Sequence, residues 1–163
     1  MNDKTILLVE DNPDDEDLTL MALERNKVTN RVVVVRDGQE ALDYLFGTGS
    51  HAGRDTADLP EMTLLDLNLP KVNGIDVLKR IRSDPHTRML PVVILTSSAE
   101  DRDRMAAYSS FANSYIRKPV DFDQFNEAVR QLGLYWLVLN QPPPISRKTG
   151  SENPARLAGA LKD

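Results

Sequence analysis

Three acidic side chains, one threonine and one lysine stand out because each closes a short, largely apolar run. Glu10 and Asp11 follow ILLV, Asp66 follows MTLL, Thr96 ends PVVILT, and Lys118 follows SYIR. If folding gathers them, three carboxylates face one ammonium and about two negative charges stay uncompensated, which pushes closely held carboxylates toward protonation. A divalent cation removes that difficulty. Oxygen donors with no histidine or cysteine beside them favour Mg²⁺ over zinc or copper, and Mg²⁺ combines a few protein carboxylates with waters and a phosphate oxygen. The residues therefore support chemistry on a phosphoryl group. Read alone, Asp66 is equally well a turn-forming residue that caps the next loop.

The elements that must position these groups alternate along the chain. Strands are expected at Ile6–Val9, Val32–Val35, the run ending at Leu65, Pro91–Thr96 and Ser114–Ile116, from short apolar segments cut off by Asn, Asp, Pro or Gly. A helix capped by Asn12 or Asp14 carries Leu18, Met21, Ala22 and Arg25 at helical spacing. A second opens at Asp37 and Gly38 and runs through Ala41, Leu42 and Leu45. Ile75, Val77, Leu78 and Ile81 mark a third, ending before Pro85, and Asp101 to Ala107 a weaker and more polar fourth. Asp121 caps a long last helix. Gly47 to Asp58, with its Gly, Ser and Thr residues, reads as a mobile loop longer than the usual connection. Five successive βα units imply an α/β fold, a five-stranded parallel sheet with helices on both faces. Such a sheet presents the carboxyl ends of all its strands on one edge, where ligands bind in open α/β folds.

Composition bounds the function. The 163 residues carry a net charge of -5, against the clustered Lys and Arg that a nucleic-acid surface needs. With no cysteine, disulfides and thiolate metal sites are excluded. No stretch approaches the ~18 apolar residues of a membrane span, and Ile6–Val9 is too short for a signal peptide's apolar region, so a cytoplasmic location is expected.

Taken together, LLVEDN, LLDLNLPKVNG, VILTSS and YIRKP, in this order, resemble the receiver domains of two-component response regulators over roughly Thr5 to Leu132. The resemblance implies a flavodoxin-like receiver fold with strand order 2-1-3-4-5. It implies Asp66 as phosphoacceptor from a histidine kinase, Mg²⁺ as the ion, Asp11 as a direct ligand, Glu10 as a ligand through water, and the backbone carbonyl of Asn68 as a further one. Glu10 departs from the family, which more often has Asp there; one extra methylene suits contact through water. Lys118 would bind the phosphoryl group, Thr96 would be the switch hydroxyl and Tyr115 the switch aromatic, and the Lys118–Pro119 bond would be cis. A strand-end Thr and an edge-strand Tyr also have ordinary structural readings. His51 and His86 lie in expected loops away from the edge and read as solvated rather than phospho-accepting.

The domain reading is a receiver over 1–140 with an apolar carboxyl-terminal extension, then a proline-containing, flexible tail over 141–163. After Leu132 no room for a DNA-binding domain is expected, so output would run through protein contacts. The long loop and YWLVLNQPPP resemble the regulators paired with bacterial and cyanobacterial phytochromes, which implies a phytochrome kinase as partner. Phe125, Val129, Leu132, Trp136 and Leu139 form one apolar stripe for the chain's own sheet, while Leu134, Tyr135, Leu137 and Val138 make the segment apolar nearly all round. Asp121 to Asn140 as one helix would be about 30 Å long against strands of about 17 to 20 Å. Leu134 to Leu139 is accordingly expected to overhang the sheet and pair with a second chain as a homodimer, the alternative being a break at Gly133 and a fold back over its own domain. Two rival functions remain. One is a receiver-like binding module that never sees phosphate; the other is a phosphohydrolase of the haloacid dehalogenase class, which wants a second Asp two residues after its nucleophile, where Asp11 is followed by Pro13.

Overall fold

The computed structural model describes residues 5–118, 122–141 and 144. Each apolar run becomes a strand: β1 Thr5–Val9, β2 Arg31–Val35, β3 Met62–Leu65, β4 Val92–Thr96 and β5 Ser114–Arg117. All pair in parallel in the order β2-β1-β3-β4-β5, the sheet the sequence leads one to expect. Parallel strands need crossovers, and these are the helices α1 Pro13–Arg25, α2 Gly38–Phe46, α3 Gly74–Ser83 and α4 Asp101–Ser109, followed by α5 Phe122–Leu132. The two-residue period of the strands splits the core. Leu7, Val9, Leu65 and Ile94 pack with Ala41, Leu45, Val77, Leu78 and Ile81 of α2 and α3. Ile6, Leu8, Met62, Leu64 and Leu95 pack on the other face with Ala22 and Leu23 of α1 and Phe125, Val129 and Leu132 of α5.

Side-chain caps start α1, α2 and α3. Asn12 caps α1 by accepting from the Asp14 and Asp15 N–H groups at 2.9 and 3.2 Å, Asp37 caps α2 through Glu40 N–H at 2.7 Å, and Asn73 caps α3 through Asp76 N–H at 2.9 Å. Gly74 is required for closeness rather than for its dihedrals. A Cβ there would lie 2.2 Å from the Asp66 carbonyl oxygen and 2.6 Å from Leu67 Cα, so only glycine lets α3 start against the backbone that carries Asp66.

Several expectations need correction. Met21 does not join the buried face of α1: it is 57% exposed, and Thr19, Ala22 and Leu23 are buried instead, because this helix is polar over most of its turns. The segment 47–58 is not a free loop. It contains a 3-10 turn, Gly49–His51, and Arg54 lies over the Tyr44 ring with 3.9 Å to its centroid, donating to the Tyr44 and Asp58 carbonyls at 2.6 and 2.9 Å. The two histidines are half-buried rather than solvated. His51 meets Tyr44 edge-on and sits 3.6 Å from Glu40, while His86 Nε2 meets the Thr56 carbonyl and ties the loop to the end of α3. Beyond α5 the chain does not break at Gly133 but continues as a π-helical segment, Gly133–Leu139. Its wider turn defeats the expected stripe: Trp136 and Leu137 pack on the core, whereas Leu139 is 59% exposed. The Asp121 cap, the Lys118–Pro119 bond and nearly all of the 141–163 tail lie outside the described residues.

Candidate functional site

Where β1 lies between β2 and β3 the chain order reverses, the position at which open α/β sheets bind ligands beyond their strand ends. Glu10 and Asp11 follow β1, and Asp66 follows β3 one residue beyond its pairing with β1. The Asp66 N–H donates to the Val9 carbonyl at 3.1 Å and the Glu10 N–H to the Val35 carbonyl at 3.0 Å, so ladder hydrogen bonds fix both backbones. One carboxylate oxygen from each of Glu10, Asp11 and Asp66 lies within 4.8 Å of the others. Glu10 and Asp66 are buried and Asp11 is exposed, which gives the cluster one open side. The Asn68 N–H donates to Asp66 Oδ1 at 3.1 Å and turns that carboxylate.

Lys118 enters from the end of β5. Its N–H bonds to the Thr96 carbonyl at 2.7 Å, and its Nζ reaches Glu10, Asp66 at 3.1 Å and Asp15 at 3.1 Å. The ammonium has three protons and here meets three carboxylates. Burial works against its charge, but the hydrogen bond to Glu10 and the charges of Asp66 and Glu10 outweigh burial and raise its pKa. Burial pushes the Glu10 carboxyl up to about 7, helped by the Asp66 charge and opposed by Lys118. A group so poised needs a further positive charge to ionise fully near neutrality. The donor set is all oxygen, clustered and open on one side, which fits a hard divalent cation; Glu10, Asp11 and Asp66 would hold it.

Thr96 is fully buried at the end of β4, and its Oγ1 accepts from the Ser98 N–H at 3.4 Å. Tyr115 is half-buried with its ring against the core, and its hydroxyl donates to the Ser98 carbonyl at 3.0 Å. The two expected switch residues thus meet through one residue, Ser98, whose own hydroxyl donates to Asp103 of α4 at 2.6 Å. Sequence reasoning missed Ser98 and Asp15. Ser98 lies within the VILTSS run, two residues past Thr96, the spacing of a local hydroxyl turn. Asp15 reads as one of three acidic residues in the first turn of α1, where the dipole alone accounts for acid. No helix among the described residues is long and apolar enough to cross a membrane.

Comparison with known proteins agrees with this fold. The response regulator receiver domain model matches residues 6–130. The probable methanogenesis regulatory protein FilR2 of Methanothrix harundinacea is 45% identical over 85% of this chain and 86% of its own. Response regulator Rcp1 of Synechocystis is 34% identical over 82% of this chain and 89% of its own; its Mn²⁺-bound form superposes with a TM-score of 0.78, at 33% identity, over 86% of this chain and 99% of that one. The phosphorylated cyanobacterial phytochrome response regulator RcpA superposes with a TM-score of 0.79, at 40% identity, over 86% of this chain and 99% of that chain.

Proposed function

The chain belongs to the family of response regulator receiver domains, and from that membership we propose that Asp66 receives the phosphoryl group that receivers take from histidine kinases. The observation that carries this reading is the placement of Asp66. It is a buried carboxylate at the switch point, within 4.8 Å of two further carboxylates and hydrogen-bonded to a lysine at 3.1 Å. Its Oδ1 is occupied by the Asn68 N–H, so the carboxylate is oriented before a donor arrives. Phosphoryl transfer asks little of a protein beyond such positioning and compensation of charge.

The cation is Mg²⁺ in this reading; Glu10, Asp11, Asp66 and the Asn68 carbonyl would hold it, and it would supply positive charge to the phosphoryl oxygens. The chain's own residues do the rest: an Asp66 oxygen attacks the phosphorus as the P–N bond to the kinase's phosphohistidine breaks and the imidazole leaves with the electron pair, and the Lys118 ammonium, released from Asp66, donates to a phosphoryl oxygen. The Thr96 hydroxyl, now turned to Ser98 N–H, can donate to another. A move of Thr96 pulls on Ser98, and Ser98 carries the Tyr115 hydroxyl and the start of α4, so phosphate at the edge repacks β4, α4 and β5.

The kinase is a phytochrome in this reading, supported by the likeness to RcpA and Rcp1, and the regulator acts as a homodimer in the cytoplasm. Exposed Leu134, Tyr135 and Leu139 support the dimer. So does a groove of about 390 Å³ between β5 and the carboxyl-terminal helix, floored by Ile116, Leu132 and Trp136. Incubation of the wild type and Asp66→Asn with acetyl phosphate and Mg²⁺ tests the central assignment by intact mass. Gain of one phosphoryl mass by the wild type alone is expected. Labelling of both proteins contradicts it, continuous donor turnover indicates a phosphohydrolase, and no labelling indicates a binding module.

A further inference from the structure

Asp15 has no part in the scheme above, yet it holds one of the three Lys118 protons. Its Oδ2 accepts from Lys118 Nζ at 3.1 Å, the same distance as Asp66. Its backbone is fixed on both sides: the Asp15 N–H is capped by Asn12 at 3.2 Å, and its carbonyl accepts from Thr19 Oγ1 at 2.8 Å. The side chain is 36% exposed, against 9% for Asp66 and Lys118 and 2% for Glu10. Asp15 is therefore the outermost partner of the shared ammonium. With it the site carries four carboxylates, Glu10, Asp11, Asp15 and Asp66, against one lysine.

We propose that Asp15 is a specificity-determining residue of the site: it restrains Lys118 and, as a like charge at the rim, disfavours small doubly charged phosphodonors. The inference rests on Asp66 being the phosphoacceptor. For a donor to react, Lys118 must leave Asp66 for a phosphoryl oxygen, and Asp15 offsets that same charge. A free dianion such as acetyl phosphate has only its charge to bring it in, and Asp15 repels it. A phosphohistidine presented by a docked protein is held by the rest of the interface and feels the repulsion less.

The test compares labelling rates of wild type, Asp15→Asn and Asp15→Glu by two donors. With acetyl phosphate, a dianion at neutral pH, the Asp66 oxygen forms its bond to phosphorus as the P–O bond breaks and acetate leaves with the electron pair. With phosphoramidate, a monoanion whose nitrogen already carries its proton, the P–N bond breaks and ammonia leaves. In low salt Asp15→Asn is expected to take phosphate from acetyl phosphate about tenfold faster than wild type, and from phosphoramidate about two- to threefold faster. The first ratio should fall toward about two in ~1 M salt, where the Debye length is about 3 Å. Asp15→Glu, which keeps the charge, should stay within about twofold of wild type. A structural role at the start of α1 would not make the effect depend on salt or donor charge. An Asp15→Asn rate equal to or below wild type in low salt overturns the proposal, as does a gain that salt leaves untouched or that Asp15→Glu shares. Failure of the underlying reading looks different: wild type takes no label from either donor, or Asp66→Asn labels as well as wild type.

Discussion

Glu10 carries the most unusual titration in the site, and its sign can be checked in solution. Because burial raises its pKa from 4.5 to about 7, the folded state binds the Glu10 proton more tightly than the unfolded chain does. Metal-free stability from this group is thus present below pH 4.5 and falls as pH rises toward 7. A bound cation requires the ionised carboxylate, so it competes with that proton. Thermal melts at pH 5 and pH 8 with and without millimolar Mg²⁺ should show a larger rise in Tm at pH 8; an equal rise at both would mean that Glu10 does not face the ion. Glu10, Asp11, Asp66, Thr96 and Lys118 were legible in the sequence because each ends a strand, and a parallel sheet sends such ends to one edge. Asp15 and Ser98 were not, since their parts depend on Lys118 reaching Asp15 across 103 residues of chain and Tyr115 reaching Ser98 across 17.

Elements were legible where one period dominated. β1, β3 and β4 are apolar throughout and α3 is plainly two-faced, so their limits fall within a residue or two of expectation. Periodicity failed at Met21, where a mostly polar helix offers no clear face, and at Leu139, where the helix widens to a π turn that spacing alone does not announce. The 47–58 loop looked mobile because its anchor, Arg54 on Tyr44, is a contact between side chains ten residues apart. Two substitutions probe how the elements serve the site. Gly74→Ala should cost several kcal/mol and shift the Asp66 backbone, because its Cβ would meet the Asp66 carbonyl at 2.2 Å; denaturant melts and loss of labelling report the two effects, and a stable, fully labelled variant would refute the close approach. Thr63 is fully buried in β3 and its Oγ1 has no hydrogen-bond partner among the described residues. Thr63→Val should therefore stabilise the protein by about 1 kcal/mol in urea unfolding, and a loss of stability would show that the hydroxyl is satisfied.

At the scale of the whole molecule, the sheet order followed from the resemblance alone, while the π turn of the carboxyl-terminal segment was announced by neither resemblance nor spacing. Leu134, Tyr135 and Leu139 are exposed beside a groove that the same helix borders. In sedimentation the full chain is expected to be a dimer at tens of micromolar, and Leu134→Glu with Leu139→Glu should make it a monomer; a monomeric wild type, phosphorylated or not, refutes the dimer. The claim on which the molecule's signalling rests is that the phosphoryl group sits on Asp66 and on no other carboxylate of the cluster. Borohydride reduces an acyl phosphate to the alcohol and so turns a phosphorylated aspartate into homoserine. After acetyl phosphate, Mg²⁺ and borohydride, peptide mass spectrometry should find homoserine at position 66 alone, and homoserine at 11 or 15 with Asp66 intact would contradict the account.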